Sequence, residues 1–271
     1  MAYKEIVYTV DRNVAVIMFN RPEAMNALTH QTHAELGQAL AEADKDDTVK
    51  VIVLTGAGKG FCSGDDVKLI FRGGDGYGEG QTLHGRESTL GFLEGGTSPG
   101  GGGLLLSTNK PTIAAVNGAA VGYGCDLTLM CDMRIASERA RFGEVFLRVG
   151  LIPDQGLLLL PRLVGLAKAY ELIMTTDIID AKEAFAIGLV NRVVPHEELM
   201  PATLELAARI ASKPPLAVRM AKEGIRRGLN VPLQDFMQWH AFAFDFLSQT
   251  EDHWEGARAF LEKREPVFKG R

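Results

Sequence analysis

The chain has 271 residues, of which 46% are hydrophobic and 23% charged, with a formal net charge of −5; this supplies a full core for one large domain, with or without a helical appendage. Lys and Arg are scattered, which argues against nucleic acid as a main partner, and no run approaches the ~18 apolar residues of a membrane span. The opening MAYKEIVYTV lacks a basic-then-apolar leader, and Cys62, Cys125 and Cys131 match neither a disulfide framework nor a metal pattern, so a reduced, cytoplasmic protein is expected.

Residues 5–10 and 13–19 run apolar or alternate around Asp11-Arg12-Asn13, which predicts a two-stranded hairpin closed by Asn20-Arg21-Pro22. After a loop of small residues, Thr29 caps a predicted helix reaching about Ala43. Residues 49–55 read as a buried strand ended by Gly56-Ala57-Gly58-Lys59-Gly60, and residues 61–68 as a glycine-hinged turn into a short helix. A second strand–glycine–helix unit spans 112–130, and this alternation implies an α/β fold with crossover connections. Between the two units, roughly 72–103, glycine is far above background, which predicts a loop that is either a surface insertion or a wall over a binding site.

Beyond Asp132, residues 133–136 read as a strand, and a turn begins at Phe142 and leads to Gly150-Leu151-Ile152-Pro153-Asp154. Helices are expected over 157–163 and 167–174 with Gly165 between them, and over 181–187 between a capping Asp180 and Gly188. A last strand at 190–194 precedes an almost entirely helical stretch. We therefore place a core at 1–196 and a helical C-terminal region at 197–271. Phe242, Phe246, Trp254 and Phe260 give that region apolar faces suited to packing on the core or on a neighbouring subunit.

Familiar motifs fail on inspection. Gly56–Gly60 lacks the pattern of a phosphate-binding loop, since Val53 stands where glycine is needed and Gly60 follows Lys59. Leu127 breaks a dinucleotide fingerprint at Gly122-Tyr123-Gly124, and Phe61 breaks a nucleophile elbow at Ser63. The six histidines stand apart, with no metal spacing. What survives is the stretch 111–132, PTIAAVNGAAVGYGCDLTLMCD: a strand that turns over glycines into a helix, aiming its first free N–H groups at one spot. Asp126 lies one helical turn beyond Tyr123 and can face the same spot. With the earlier glycine turn, this is a kit for stabilising an enolate-like oxyanion while an acid or base moves a proton. Asp132 reads as structural, and Cys125 and Cys131 as small core residues.

Five segments in order carry a resemblance over nearly the whole length: NRPEAMNAL at 20–28, VIVLTGAGKGFCSGDDVK at 51–68, PTIAAVNGAAVGYGCDLTLMCDMRIAS at 111–137, GLIP at 150–153 followed by LPRLVG, and EGARAFLEKREP at 255–266. The chain resembles the enoyl-CoA hydratase/isomerase (crotonase) superfamily. The resemblance implies a spiral of ββα repeats and a helical C-terminal region that drives trimerisation, as a homotrimer or a dimer of trimers. It also implies a coenzyme A thioester as substrate, with no metal or redox cofactor.

Carried over residue by residue, the resemblance assigns the oxyanion hole to the backbone N–H groups of Asp65 and Tyr123, beside Gly122. It puts Asp66, Val67 and Lys68 along the coenzyme A chain, Arg21, Ala24, Ala27 and Leu28 in the loop that holds it, and Phe260 and Lys263 near its nucleotide end. The acid and base depart from the family pattern. Of the two glutamates of a hydratase, the first falls at Asp126 and the second at Phe146, which cannot transfer a proton and instead lines an apolar acyl pocket. Glu144, two residues earlier, is expected to point elsewhere. Asp154 follows Gly-Leu-Ile-Pro where some isomerase branches carry aspartate, so Asp126 and Asp154 form an isomerase-type pair. Double-bond isomerisation or hydration leads; a thioester hydrolase, a carbon–carbon lyase and a non-catalytic acyl-CoA-binding protein are the alternatives.

Overall fold

The computed structural model describes residues 3–68 and 102–271. The glycine-rich stretch read as a loop at 72–103 therefore lies outside the described residues, apart from its last two. Within them, the chain builds two sheets. The larger has the order β1 (Ile6–Asp11), β2 (Val14–Phe19), β3 (Val51–Gly56), β5 (Thr112–Val116), β7 (Met133–Ser137) and β10 (Arg192–Val194). The smaller has the order β4 (Gly60–Cys62), β6 (Ala119–Val121), β8 (Arg141–Gly143) and β9 (Ile179–Asp180). Successive strand pairs β3–β4, β5–β6 and β7–β8 each give one strand to each sheet, and a helix follows the last two pairs: α3 (Tyr123–Met130) and α4 (Gly156–Val164). This is the ββα spiral that the resemblance implied.

Local chemistry explains the elements that were read correctly. The β1–β2 hairpin turns on Arg12 and Asn13 with φ of 45° and 67°, the left-handed pair that matches strand twist. Thr29 caps α1 (His30–Lys45): its side chain accepts from Thr32 N–H at 3.1 Å, and Thr32 Oγ1 accepts from Thr29 N–H at 3.0 Å. Helices α4 and α5 (Leu166–Thr175) meet at Gly165, and Asp180 caps α6 (Ala181–Ala186) by accepting from Glu183 N–H at 2.9 Å. The segments read as turns at 61–64, 117–122 and 142 are different. Each overlaps one of the three-residue strands of the small sheet, held by pairing with its neighbours rather than by any local pattern.

The central strands of the large sheet are buried on both faces, and they sort their side chains with a period of two. Ala15, Ile17, Ile52, Leu54, Ala114, Val116 and Ala136 enter the main core. Val14, Val51, Val53, Ile113, Ala115 and Ile135 enter a second core with Leu199, Ala207 and Ala211 of α7 (Leu199–Ala211). The next helix, α8 (Pro215–Gly228), is latched polar-fashion. Lys222 Nζ donates to Lys110 O and pairs with Asp132, each at 2.6 Å, and Asp132 also accepts from Thr112 N–H at 2.8 Å. Asp132 is structural, as expected. Lys110 in turn donates to Ala43 O and Asp46 O at the end of α1.

Helices α9 (Leu233–Ser248) and α10 (Glu251–Glu262) complete the chain, with Phe242, Phe246, Trp254 and Phe260 exposed rather than packed on the core. Among the described residues no helix is long and apolar enough to cross a membrane. Because Lys222 is buried and neutralises Asp132, Lys222→Ala leaves a carboxylate and the Lys110 carbonyl without that partner; we expect a loss of about 3 kcal/mol in urea unfolding.

Candidate active site

The site forms where the small sheet ends. Strands β4, β6 and β8 are parallel neighbours, so their C-terminal ends release the chain along one edge, at Gly64-Asp65, Gly122-Tyr123 and Glu144. Such an edge is where open α/β sheets present ligand-binding groups. Gly64 has φ of +88°, and a Cβ built on it would stand 3.0 Å from Val121 O and 3.4 Å from Tyr123 N. Only glycine lets the two turns approach this closely without strain.

That approach brings two free donors together. In the parallel bridge between Leu28 and Asp65, Leu28 N–H donates to Gly64 O and Asp66 N–H to Leu28 O, both at 2.9 Å. Asp65 N–H points to the opposite side of the bridge. Tyr123 opens α3, where a first-turn N–H has no partner within the helix. Neither N–H makes a backbone hydrogen bond among the described residues. The pair therefore offers a ligand oxygen two fixed donors and the positive end of a buried helix.

The Asp65 side chain turns to α1, where His33 Nε2 lies 2.8 Å from Asp65 Oδ1. The His33 ring also stands 5.4 Å from the Tyr123 ring. Reading the histidines only for metal spacing missed this one. The available signal was its position three and seven residues before Leu36 and Leu40, on the apolar side of α1.

Two buried carboxyl groups converge beside Gly156, with Asp154 joined to one of them through its backbone. Asp126 is fully buried, and its Oδ2 accepts from Asp154 N–H at 3.2 Å. Asp154 is half-buried in the turn before α4. Glu144 does not point elsewhere as its sequence position suggested. The chain leaves β8 so that the Glu144 side chain is buried, 2% exposed, and meets Asp126 beside Gly156. A Cβ built on Gly156 would stand 2.7 Å from Asp126 Oδ1 and 2.9 Å from Glu144 Oε1, so the two carboxyls converge where glycine leaves room.

Burial and crowding set the charges. Asp126 is held well above the usual carboxylate range, first by burial and then by the neighbouring charges of Glu144 and Asp154, while the N–H groups of Gly156 and Asp154 oppose the shift in part. Burial pushes Glu144 up to about 8, with Asp154 adding to the shift and the Cys125 thiol opposing it. The Tyr123 phenol is raised by burial and by Asp154, Asp126 and Asp65, so it stays neutral. Among the described residues no three His, Cys, Asp or Glu side chains are grouped to hold a metal ion.

Residues 9–271 match the enoyl-CoA hydratase/isomerase family. The chain belongs to that family. It is 40% identical over 271 residues to a crotonyl-CoA hydratase of Syntrophomonas wolfei, covering 99% of each chain. It is 38% identical to a short-chain-enoyl-CoA hydratase of Clostridium acetobutylicum, covering 100% of both. The crystal structure of an enoyl-CoA hydratase/isomerase from Mycobacterium paratuberculosis superimposes with a TM-score of 0.88 at 34% identity, again over 100% of both chains.

The remaining residues that the family resemblance singled out fall into three places. Arg21, Ala24, Ala27 and Leu28 form one loop beside Asp65 and Asp66. Arg21 holds it by donating to Ala27 O at 2.5 Å and pairing with Asp66 at 3.3 Å and with Glu5 at 3.6 Å. Val67 and Lys68 follow on the surface. Phe146 lies two residues beyond Glu144 in a single helical turn, half-buried against the main core. Phe260, 84% exposed, and Lys263 end α10, and among the described residues no hydrogen bond or ion pair joins them to the loops above.

The raised Glu144 carboxyl has a consequence for folding. Below about pH 4.5 it is protonated in the folded and the unfolded chain alike, so its burial is least costly there. As pH rises towards about 8, the unfolded chain releases the proton and the folded chain keeps it, so stability falls across that window. Glu144→Gln removes this dependence. Its melting temperature relative to the wild type should rise between about pH 5 and about pH 9; a difference that stays constant across this range would exclude the assignment.

Proposed function

We propose that this protein binds an acyl-CoA thioester with its carbonyl oxygen on Asp65 N–H and Tyr123 N–H, and moves a proton along the acyl chain. The observation that carries the reading is one half-buried and one fully buried carboxyl, Asp154 and Asp126, joined by a backbone hydrogen bond beside two unpaired N–H groups. Such a pair divides the work by environment. Asp154 keeps partial contact with water, carries the charge and acts as base. Asp126, kept neutral by burial, acts as acid. Asp154 removes a proton from the carbon chain, the electrons pass to the thioester oxygen as a dienolate, and the two N–H groups stabilise the charge. Asp126 protonates the other end of the dienolate, and the proton on Asp154 returns to Asp126. The net result is a shifted double bond.

On the coenzyme A side, Arg21 is already engaged by Asp66 and Glu5, so its part is to fix the Ala24–Leu28 loop. Asp66, Val67 and Lys68 line the chain of the ligand, Gly122 gives it room, Phe146 faces the acyl group, and Phe260 and Lys263 serve its nucleotide end. The exposed Phe242, Phe246, Trp254 and Phe260 support assembly into a homotrimer or a dimer of trimers. Three buried thiols support a reducing, cytoplasmic setting. No cofactor beyond coenzyme A, itself part of the substrate, enters this chemistry.

Hydration is the second reading, favoured by the names of the relatives and by Glu144, a second carboxyl beside Asp126. Purified protein given 2-enoyl-, 3-enoyl- and dienoyl-CoA separates the readings by product mass, because water addition raises the mass, isomerisation leaves it unchanged and thioester hydrolysis frees coenzyme A. For isomerisation, Asp154→Asn should lower kcat by at least about 10²-fold while acyl-CoA affinity stays nearly intact. Full activity in that variant would remove Asp154 from the mechanism.

A further inference from the structure

Glu144 is a buried carboxyl that the proton-transfer scheme above leaves unused, and the family pattern gives this position no role, since its second glutamate falls at Phe146. The Glu144 side chain comes from the end of β8, Asp126 from α3, and both turn to the one point that Gly156 leaves open. Neither Glu144 oxygen has a hydrogen-bond partner among the described residues, and the same holds for Asp126 Oδ1. Three carboxyl oxygens thus lie buried around a residue with no side chain, with no N–H or O–H donor among the described residues and only the Cys125 thiol beside Glu144. A stable core does not leave such groups unpaired without a reason.

We propose that Glu144 is a positioning residue for proton transfer: with Asp126 it forms one buried carboxyl pair that keeps a proton in the site and delivers it to the substrate through Asp126. The proposal rests on the reading of Asp126 as the acid and deepens it. Two carboxyls this close in dry surroundings cannot both ionise, so the pair retains at least one proton where two isolated side chains would lose both. The groups that face the pair work in the same direction. Asp154, on the turn before α4, adds negative charge, and from α3 come only the Cys125 thiol and the neutral Tyr123 phenol. On the flank of β9 and α6, Asp180 and Lys182 lie at the surface. Among the described residues no cation contributes to the shift of either carboxyl.

The proton balance is closed. Burial holds both Asp126 and Glu144 protonated, so when Asp126 gives its proton to carbon, the new carboxylate faces a neutral Glu144 and not a second charge. The proton that Asp154 took from the substrate restores the acid form of Asp126. Glu144 gains and loses no proton over the cycle. It sets how readily Asp126 parts with one, and a different side chain should alter the pH at which the site works rather than the affinity for substrate.

Glu144→Gln tests this. The amide keeps the shape but gives Asp126 an N–H donor, which favours the carboxylate over the acid. Its kcat at about pH 8 should fall at least about tenfold with KM changed less than about threefold, and the alkaline limb of the pH–rate profile should move to lower pH. Glu144→Asp should recover part of the lost rate. A merely structural role predicts a Glu144→Gln profile of unchanged shape, and that result would overturn the proposal. Infrared spectroscopy of the unliganded wild-type protein provides a measurement that needs neither a folded variant nor the acyl-CoA reaction. Protonated carboxyl C=O absorption should persist at neutral pH and decline with a midpoint near about 8, where burial places the Glu144 carboxyl. Absence of that band at neutral pH would sink the pair even if isomerisation is confirmed. Its presence in a protein without activity on any acyl-CoA would leave the pair standing and remove the proposed reaction.

Discussion

Parallel pairing of three short strands governs this molecule. β4, β6 and β8 contribute only three residues each, yet their shared direction fixes where the chain emerges from the small sheet. Asp65, Tyr123 and Glu144 come from parts of the sequence separated by tens of residues and arrive at one edge because the register leaves them nowhere else to go. The large sheet sends side chains into both hydrophobic cores, and the small one carries the candidate site. Each repeat serves both, so a change that loosens one strand pair disturbs the core and the site together.

The site also separates what must be neutral from what must be charged by depth. Asp126 and Glu144 lie where water does not reach, and a carboxyl there keeps its proton. Asp154 and Asp65 remain partly exposed, and the second is held by His33 at 2.8 Å. In the proposed reaction the shallow carboxylate takes a proton at one carbon and the deep acid returns one at another. The N–H groups of Asp65 and Tyr123 belong to neither class. They are fixed dipoles whose strength does not depend on pH.

Much of this was legible in the sequence wherever a local rule decides the structure. The Arg12-Asn13 turn, the Thr29 cap, the Gly165 break and the Asp180 cap each rest on the chemistry of one or two residues. The small sheet was not legible, because three residues carry no periodicity and owe their conformation to neighbours far along the chain. Glu144 escaped for the same reason: its direction is set by how β8 ends, and Gly156, which makes room for it, lies twelve positions later. His33 had a readable place on the apolar side of α1, but a search for metal spacing does not find a histidine whose partner is a single aspartate. Phe146 marks the opposite case. There the family pattern said which carboxyl is missing, and only three-dimensional placement showed that Glu144 lies buried beside Asp126.

The latch on α8 bears on how the protein comes into being. Lys222 reaches back to Asp132 and to the carbonyl of Lys110, whose own ammonium closes the end of α1, while Leu199, Ala207 and Ala211 fill the second core. A chain leaving the ribosome has therefore made the loops of its site well before it can bury the back of the sheet that supports them. Until the last quarter is synthesised, one face of that sheet stands open and Asp132 lacks Lys222. The sheet that positions the site is thus covered and latched by residues that follow every loop of the site in the sequence.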